Sequence, residues 1–280
     1  AWVGFVAVAV IQLAVVANLM VFVARHPTNG GFGVPLGVKL KAADAARAMM
    51  SRTGAEEILL AGRGSNPEHD DFPAEFKALL HGVPVRTVDL TAEAVFPSAA
   101  SIVLSDLSVI GEDTSTYDFY QAASGEVDAV GLNDQNLYTV RSLDGGAAPT
   151  PDVPLPEPAL FANFVHLLGY DLPTVDPSGV IWDIIWRTAD NPDPADYHFF
   201  NHLGVAGERL AQADGRAFPG EQWRPGDVVI SRFRLPITGG LPPAAVMRVG
   251  MYRFPSLENV PVLDEAANPA SDAVEIELSR

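Results

Sequence analysis

A chain of 280 residues with 35 acidic against 18 basic side chains, a formal net charge of -17, lacks the clustered Lys and Arg that phosphate neutralisation needs, which argues against nucleic-acid binding. The absence of Cys removes disulfides, thiolate zinc sites and thiol nucleophiles together. With 48% of its residues hydrophobic the chain is not disordered as a whole and has material for a sizeable core.

The first stretch, AWVGFVAVAVIQLAVVANLMVFVA, holds no charge and only Gln12 and Asn18 as strongly polar interruptions. At ~1.5 Å per residue it is long enough to cross a hydrocarbon core of roughly 30 Å. We therefore assign residues 1–25 as a transmembrane helix, with the bilayer as the partner of residues 1–24. A buried core helix would be shorter or carry a polar stripe. The chain starts on Ala with no basic segment ahead of the apolar run, unlike a signal peptide, and this predicts the last membrane helix of a larger protein. Arg25, Lys39, Lys41 and Arg47 follow the run, and the positive-inside rule would put that flank in the cytoplasm.

Residues 27–40 are punctuated by Gly and Pro and read as the exit from the membrane. Helices are predicted at 41–52 and 72–81, the second with Phe72, Phe76, Leu79 and Leu80 on one side. Short apolar strands are predicted at 57–61, 85–88 and 101–104. This alternation predicts a small parallel α/β, Rossmann-like domain over 38–148. The loop after its first strand, GRGSNPEHDD, has the place of a phosphate-binding turn. It lacks the third Gly, Pro67 interrupts it, and Glu68, Asp70 and Asp71 would repel a pyrophosphate; His69 among these acids reads as part of a polar surface loop.

Residues 106–158 read as loop, with one helical turn and a strand at 137–142. The run PTPDVPLPEP at 149–158 reads as a stiff Pro-rich linker that marks a domain boundary. From 159 to 280 the period is two: strands are predicted within 161–170 and at 180–187, 197–203, 208–213, 228–235, 245–252 and 274–278. Short alternating strands between Pro and Gly turns predict an antiparallel β-sandwich domain.

In residues 197–255 the motifs are His202-Leu203, the turn Trp223-Arg224-Pro225-Gly226-Asp227, Leu235-Pro236 and Arg248-Val249-Gly250-Met251-Tyr252. This run resembles the region after the membrane portion of bacterial glycosyltransferases of the dolichyl-phosphate-mannose protein mannosyltransferase (GT-C) type. The apolar helix and the following GGFGVPLGVKLKAADAAR look similar as well, so the resemblance spans most of the chain. It implies transfer of sugar from a polyprenyl-phosphate donor at the outer membrane face, and hence extracytoplasmic soluble parts. We weigh this above the one-sided charge count. The catalytic carboxylate of these enzymes lies near the start of their membrane region, so no catalytic residue carries over to this chain.

An independent search for chemistry finds no Ser elbow, no HExxH and no P-loop. His198 and His202 stand four apart, which on a strand puts them ~13 Å apart at ~3.3 Å per residue, too far for one metal ion. No metal and no cofactor is predicted. Trp182, Trp186, Tyr197, Phe199, Phe200, Trp223 and Tyr252 read mainly as core. Trp223 beside its turn is the exception and, with Asp227, the candidate carbohydrate-binding pair; the plainer role of Asp227 is to support the turn.

Three functions remain open. The preferred one is a non-catalytic extracytoplasmic tail of a membrane glycosyltransferase, positioning acceptor or adding stability, with a glycan or polyprenyl-linked sugar as partner. The second is a membrane-anchored carbohydrate-binding or adhesion module, which would gain from exposed aromatics along one face of the sandwich. The third is a nucleotide-using enzyme on the α/β unit, which needs an open, non-acidic pocket at residues 62–65.

Overall fold

The computed structural model describes residues 2–25, 33–111, 115–177, 179–237 and 240–278. Of the membrane exit expected at 27–40, residues 27–32 lie outside the described residues. The chain is mostly β, with one apolar helix at its start.

That helix, α1 (Trp2–Arg25), is apolar on every side, and its stretch Gly4–Phe22 has a mean hydropathy of 2.5 with none of it buried. It is long and apolar enough to cross a membrane. Asn18 Nδ2 donates to the Ala14 carbonyl at 3.0 Å, which satisfies a polar side chain within the helix itself.

Helix α2 (Leu36–Thr53) begins earlier than the sequence suggests, just after Pro35, and ends on Gly54, whose φ of 72° places its N–H on the Met50 carbonyl. It buries Val38, Ala42, Ala43, Ala46 and Met49, and the small residues let it lie close on a sheet. Next come β1 (Glu57–Gly62), α3 (Asp71–Leu79), β2 (Val85–Asp89), β3 (Glu93–Phe96), β4 (Ser101–Asp106), α4 (Tyr117–Ala122), β5 (Val127–Leu132) and β6 (Gln135–Leu143). The first sheet has the order β2-β1-β4-β6-β5. Only β1 with β2 and β1 with β4 are parallel, and the β5/β6 hairpin extends the sheet antiparallel. Asn133 and Asp134, with φ of 50° and 63°, make the two-residue turn of that hairpin. The wholly parallel unit expected over 38–148 is thus three parallel strands carrying an antiparallel hairpin.

The expected linker at 149–158 is not one. Most of it lies in strand β7 (Val153–Phe161), which pairs with β8 (Val165–Tyr170) at Val153 and Pro154 and again from Ala159 to Phe161. The register shifts between these two stretches, where Pro156 and Pro158 have no N–H to give a ladder. Pro content is here a correct sign of extension and a wrong sign of independence.

The remaining strands are β9 (Thr174–Asp176), β10 (Gly179–Thr188), β11 (Tyr197–Val205), β12 (Glu208–Arg216), β13 (Val228–Leu235), β14 (Ala245–Arg253), β15 (Glu258–Asn259), β16 (Val262–Leu263), β17 (Pro269–Ser271) and β18 (Val274–Leu278). The second sheet runs β17-β16-β7-β8-β10-β13-β3, with β9 on β10. The third runs β12-β11-β14-β15, with β18 on β14. Strand β3 lies inside the span expected for the α/β domain, yet it pairs antiparallel with β13, so the expected boundary between the parts is crossed by a ladder.

The second and third sheets meet through Trp186 stacked on Phe199, centroids 4.5 Å apart at 3°, and through Trp182 Nε1 donating to Asn201 Oδ1 at 3.1 Å. Leu59, Ala61 and Val103 of the first sheet belong to the same core, while the opposite face of that sheet is covered by α2 and α3. Because neither core includes a described side chain of α1, removing residues 1–25 is expected to leave the thermal midpoint of the remainder unchanged and to abolish co-sedimentation with membranes, as calorimetry and flotation would measure.

Candidate functional site

The turn that carries the predicted pair is folded down onto the first sheet. Asp227 N donates to the Arg224 carbonyl at 3.2 Å, Arg224 N donates back to Asp227 Oδ2 at 2.9 Å, and Gly226 supplies the φ of 79° that closes the turn. The Asp227 carboxylate, 1% exposed, is ion-paired with Arg86 of β2, itself 2% exposed. Arg86 also pairs with Glu57, with Nε to Oε2 at 2.9 Å, and donates to the Gln222 carbonyl at 2.8 Å. Burial works against the Arg86 charge, but Asp227 and Glu57 outweigh it and hold its pKa above the ordinary value. Beside it, Thr87 N donates to Gln222 Oε1 at 2.7 Å and Gln222 Nε2 donates to Thr87 Oγ1 at 3.0 Å.

Trp223 is only 5% exposed and lies parallel to Tyr197, with centroids 5.8 Å apart at 16°. The expectation of a sugar-binding pair is corrected here: Trp223 has no free face for a pyranose, and Asp227 anchors a buried guanidinium. The residues look exposed in sequence because a Pro-Gly turn adjoins them; Trp223 is covered by Tyr197 of β11, and Asp227 by Arg86 of β2, remote in the chain.

The loop after β1 is closed to phosphate. Asn66 N donates to Asp70 Oδ2 at 2.8 Å, and a Cβ at Gly64 would sit 2.2 Å from the same carboxylate. Asp70 therefore occupies the concavity that an anion would need. Among the described residues no three His or acidic side chains are grouped to hold a metal, at this loop or elsewhere.

His198 and His202 belong instead to a row of rings on the outer face of the third sheet. In β11, Tyr197, Phe199, Asn201 and Leu203 face the core, so His198, Phe200 and His202 face out. Their neighbours on β14 are Tyr252, Gly250 and Arg248. Phe254 stacks on His198 at 4.6 Å and 14°, Tyr252 lies 5.4 Å from His198, and Phe200 lies 4.9 Å from His202. A Cβ at Gly250 would come within 2.3 Å of the Phe200 ring, so this glycine is what lets the ring lie across β14. Asp214 reaches to 3.6 Å from His202 Nε2, and the Arg248 guanidinium sits 5.8 Å over Phe200. Burial lowers the pKa of both His residues, which keeps the row neutral at neutral pH. Sequence reasoning groups Phe200 with the core, and it is buried, but it groups the half-buried Tyr252 there too and weighs the two His residues only as metal ligands; the outward parity of β11 is the signal that could have placed them together.

A second feature is a cleft of about 640 Å³ where β12 and β13 face the carboxyl end of β2. Its wall includes Glu93, 4% exposed, directly across from Ser231 in the β3/β13 ladder. Burial, helped by the Asp89 charge, pushes the Glu93 carboxyl up to about 8, with Arg216 opposing. Asp89 N donates to Glu93 Oε1 at 3.4 Å. Nothing in the sequence marks Glu93, because β13 buries it from the far half of the chain.

Trp223→Ala is expected to cost about 3–5 kcal/mol in chemical denaturation, the usual penalty for truncating a buried Trp. Asp227→Ala is expected to cost about 3 kcal/mol, since it leaves the buried Arg86 charge with Glu57 as its one carboxylate partner among the described residues. For Glu93 the unfolded carboxyl ionises at its ordinary value and the native one only near 8, so the native state binds the extra proton in between and stability falls as pH rises. Glu93→Gln should therefore melt increasingly above the wild type from about pH 5 to about pH 8, by up to ~1.4 kcal/mol per pH unit. Comparison of the chain with family models, with curated proteins and with solved structures gives no match.

Proposed function

We propose that this chain is a non-catalytic, membrane-anchored glycan-recognition part of a glycosyltransferase that draws sugar from a polyprenyl-phosphate donor. In this reading α1 is the anchor, the two facing sheets form a β-sandwich, and the first sheet with α2 and α3 is a Rossmann-like unit. All of it beyond α1 lies outside the cytoplasm and positions the acceptor for a catalytic centre in the membrane portion. The observation that carries the reading is the outward row of Phe254, His198, Tyr252 and His202 beside Asp214, with Phe200, 5% exposed, as the buried ring they pack around. Neutral aromatic faces are electron-rich and attract the C–H faces of pyranose rings, while a flanking carboxylate accepts their hydroxyls.

The same row also favours a second reading, an adhesion or carbohydrate-binding module that acts without any transferase. A nucleotide-using enzyme is disfavoured, because Asp70 fills the Gly-rich turn that follows the central parallel strand of the first sheet.

Glycan-array binding by the full chain in nanodiscs, compared with a Tyr252→Ala, Phe254→Ala double variant, tests the proposal. Binding by the wild type that falls at least about tenfold in the variant is expected, the loss of roughly one good ring contact per residue. Absence of binding to any glycan, or equal binding by the variant, would sink it. Gly250→Ala should weaken the same binding by displacing Phe200 and should also cost about 1–3 kcal/mol in chemical denaturation, because the ring it displaces is buried.

A further inference from the structure

The cleft beside β3 holds buried polar groups that neither the fold nor the outer row accounts for. Ser231 is 3% exposed, and its Oγ has no hydrogen-bond partner among the described residues. Side chains at 229, 231, 233 and 235 share the core-facing side of β13, and Ser231 alone among them is polar. A hydroxyl kept there without a partner is costly, and Ala would spare the cost. Across the ladder the Glu93 carboxyl lines the same cleft and accepts a long bond from the Asp89 amide, and Phe233 gives the cleft an apolar wall.

We infer that this cleft is a binding site for a small, neutral, hydroxylated ligand, a single sugar ring or a cyclic polyol, held by the Ser231 hydroxyl and the Glu93 carboxyl. Its volume of about 640 Å³ falls in the range of small-molecule pockets. The wall mixes Asp89 and Asp214 with Arg216, Arg232 and Arg234, so a ligand of either charge would meet groups of its own sign. A purely apolar ligand would leave the hydroxyl and the carboxyl dry and unpaired. A diol satisfies both, because Ser231 donates and accepts, and Glu93, whose carboxyl burial holds protonated at neutral pH, also donates and accepts. The site rests on its own geometry and does not require the outer row to bind anything.

The test uses the full chain in detergent micelles with methyl α-mannoside, methyl β-galactoside and myo-inositol as probes, followed by saturation-transfer NMR and titration. At least one probe is expected to bind. Ser231→Ala should weaken it by about tenfold or more while melting no lower than the wild type, and Ser231→Thr, which keeps the hydroxyl, should retain binding. Tyr252→Ala should leave it unchanged. The inference falls if no probe binds the wild type, or if Ser231→Ala binds as the wild type does. It also falls if Tyr252→Ala abolishes the signal, a result that would move the sugar to the outer face and uphold the proposed function while removing this site.

Discussion

The structure beyond α1 depends on one buried cation. Arg86 enters from β2 and is met by Glu57 from the neighbouring strand of its own sheet and by Asp227 from the turn before β13. Desolvating a guanidinium and a carboxylate costs more than an exposed pair ever returns, so such a cluster is a weak source of net stability. What it visibly does is tie the turn before β13 to the first sheet. A guanidinium has five donors in a fixed plane, and here they reach two carboxylates and the Gln222 carbonyl, an arrangement that only one placement of the turn on the sheet provides. Gln222 adds a reciprocal pair of bonds with Thr87, which fixes the sliding direction along β2. The Trp-x-Pro-Gly-Asp turn therefore joins the β-rich region to the first sheet, beside the β3/β13 ladder, and its aromatic member fills the core behind it.

With that turn committed to architecture, the surface left for recognition lies elsewhere. The outward row on β11 and β14 owes its existence to two sequence facts, the aromatic content of YHFFNHL at alternate positions and the missing side chain at Gly250. A protein with a net charge of -17 that keeps a neutral ring surface, rather than covering it with carboxylates, has a face unlike the rest of its exterior. The cleft at the β3 edge differs in kind: it sets buried polar groups against a single ring, Phe233.

How much of this is legible in the sequence depends on the partners each residue touches. Helix α1 is plain from composition alone. Strands β1, β2 and β4, and β10, β11, β13 and β14, can be found because apolar runs and strict alternation report burial on two faces or one. Strand β3 has four residues, all buried, and so has no alternation to detect. Strand β5 buries no residue fully on either face, and its hairpin turn is Asn-Asp instead of the Asn-Gly that signals such turns. Strand β7 carries three prolines and so reads as a linker. At the site level, Trp223 and Asp227 mislead and Glu93 is silent for one shared reason. Their environments are built by partners on other strands, Tyr197 for Trp223, Arg86 for Asp227 and β13 for Glu93, and local pattern contains nothing about such partners.

The β3/β13 ladder carries a consequence for how the chain is made. Strand β3 leaves the ribosome long before its partner exists, with its hydrogen-bonding edge and the Glu93 carboxyl unprotected until β13 arrives. Closing so long a loop is slow, and contacts of this range place a protein among the late-ordering folds. The first sheet can assemble from local contacts, but the edge of β3 stays open as a template for stray strands during that interval.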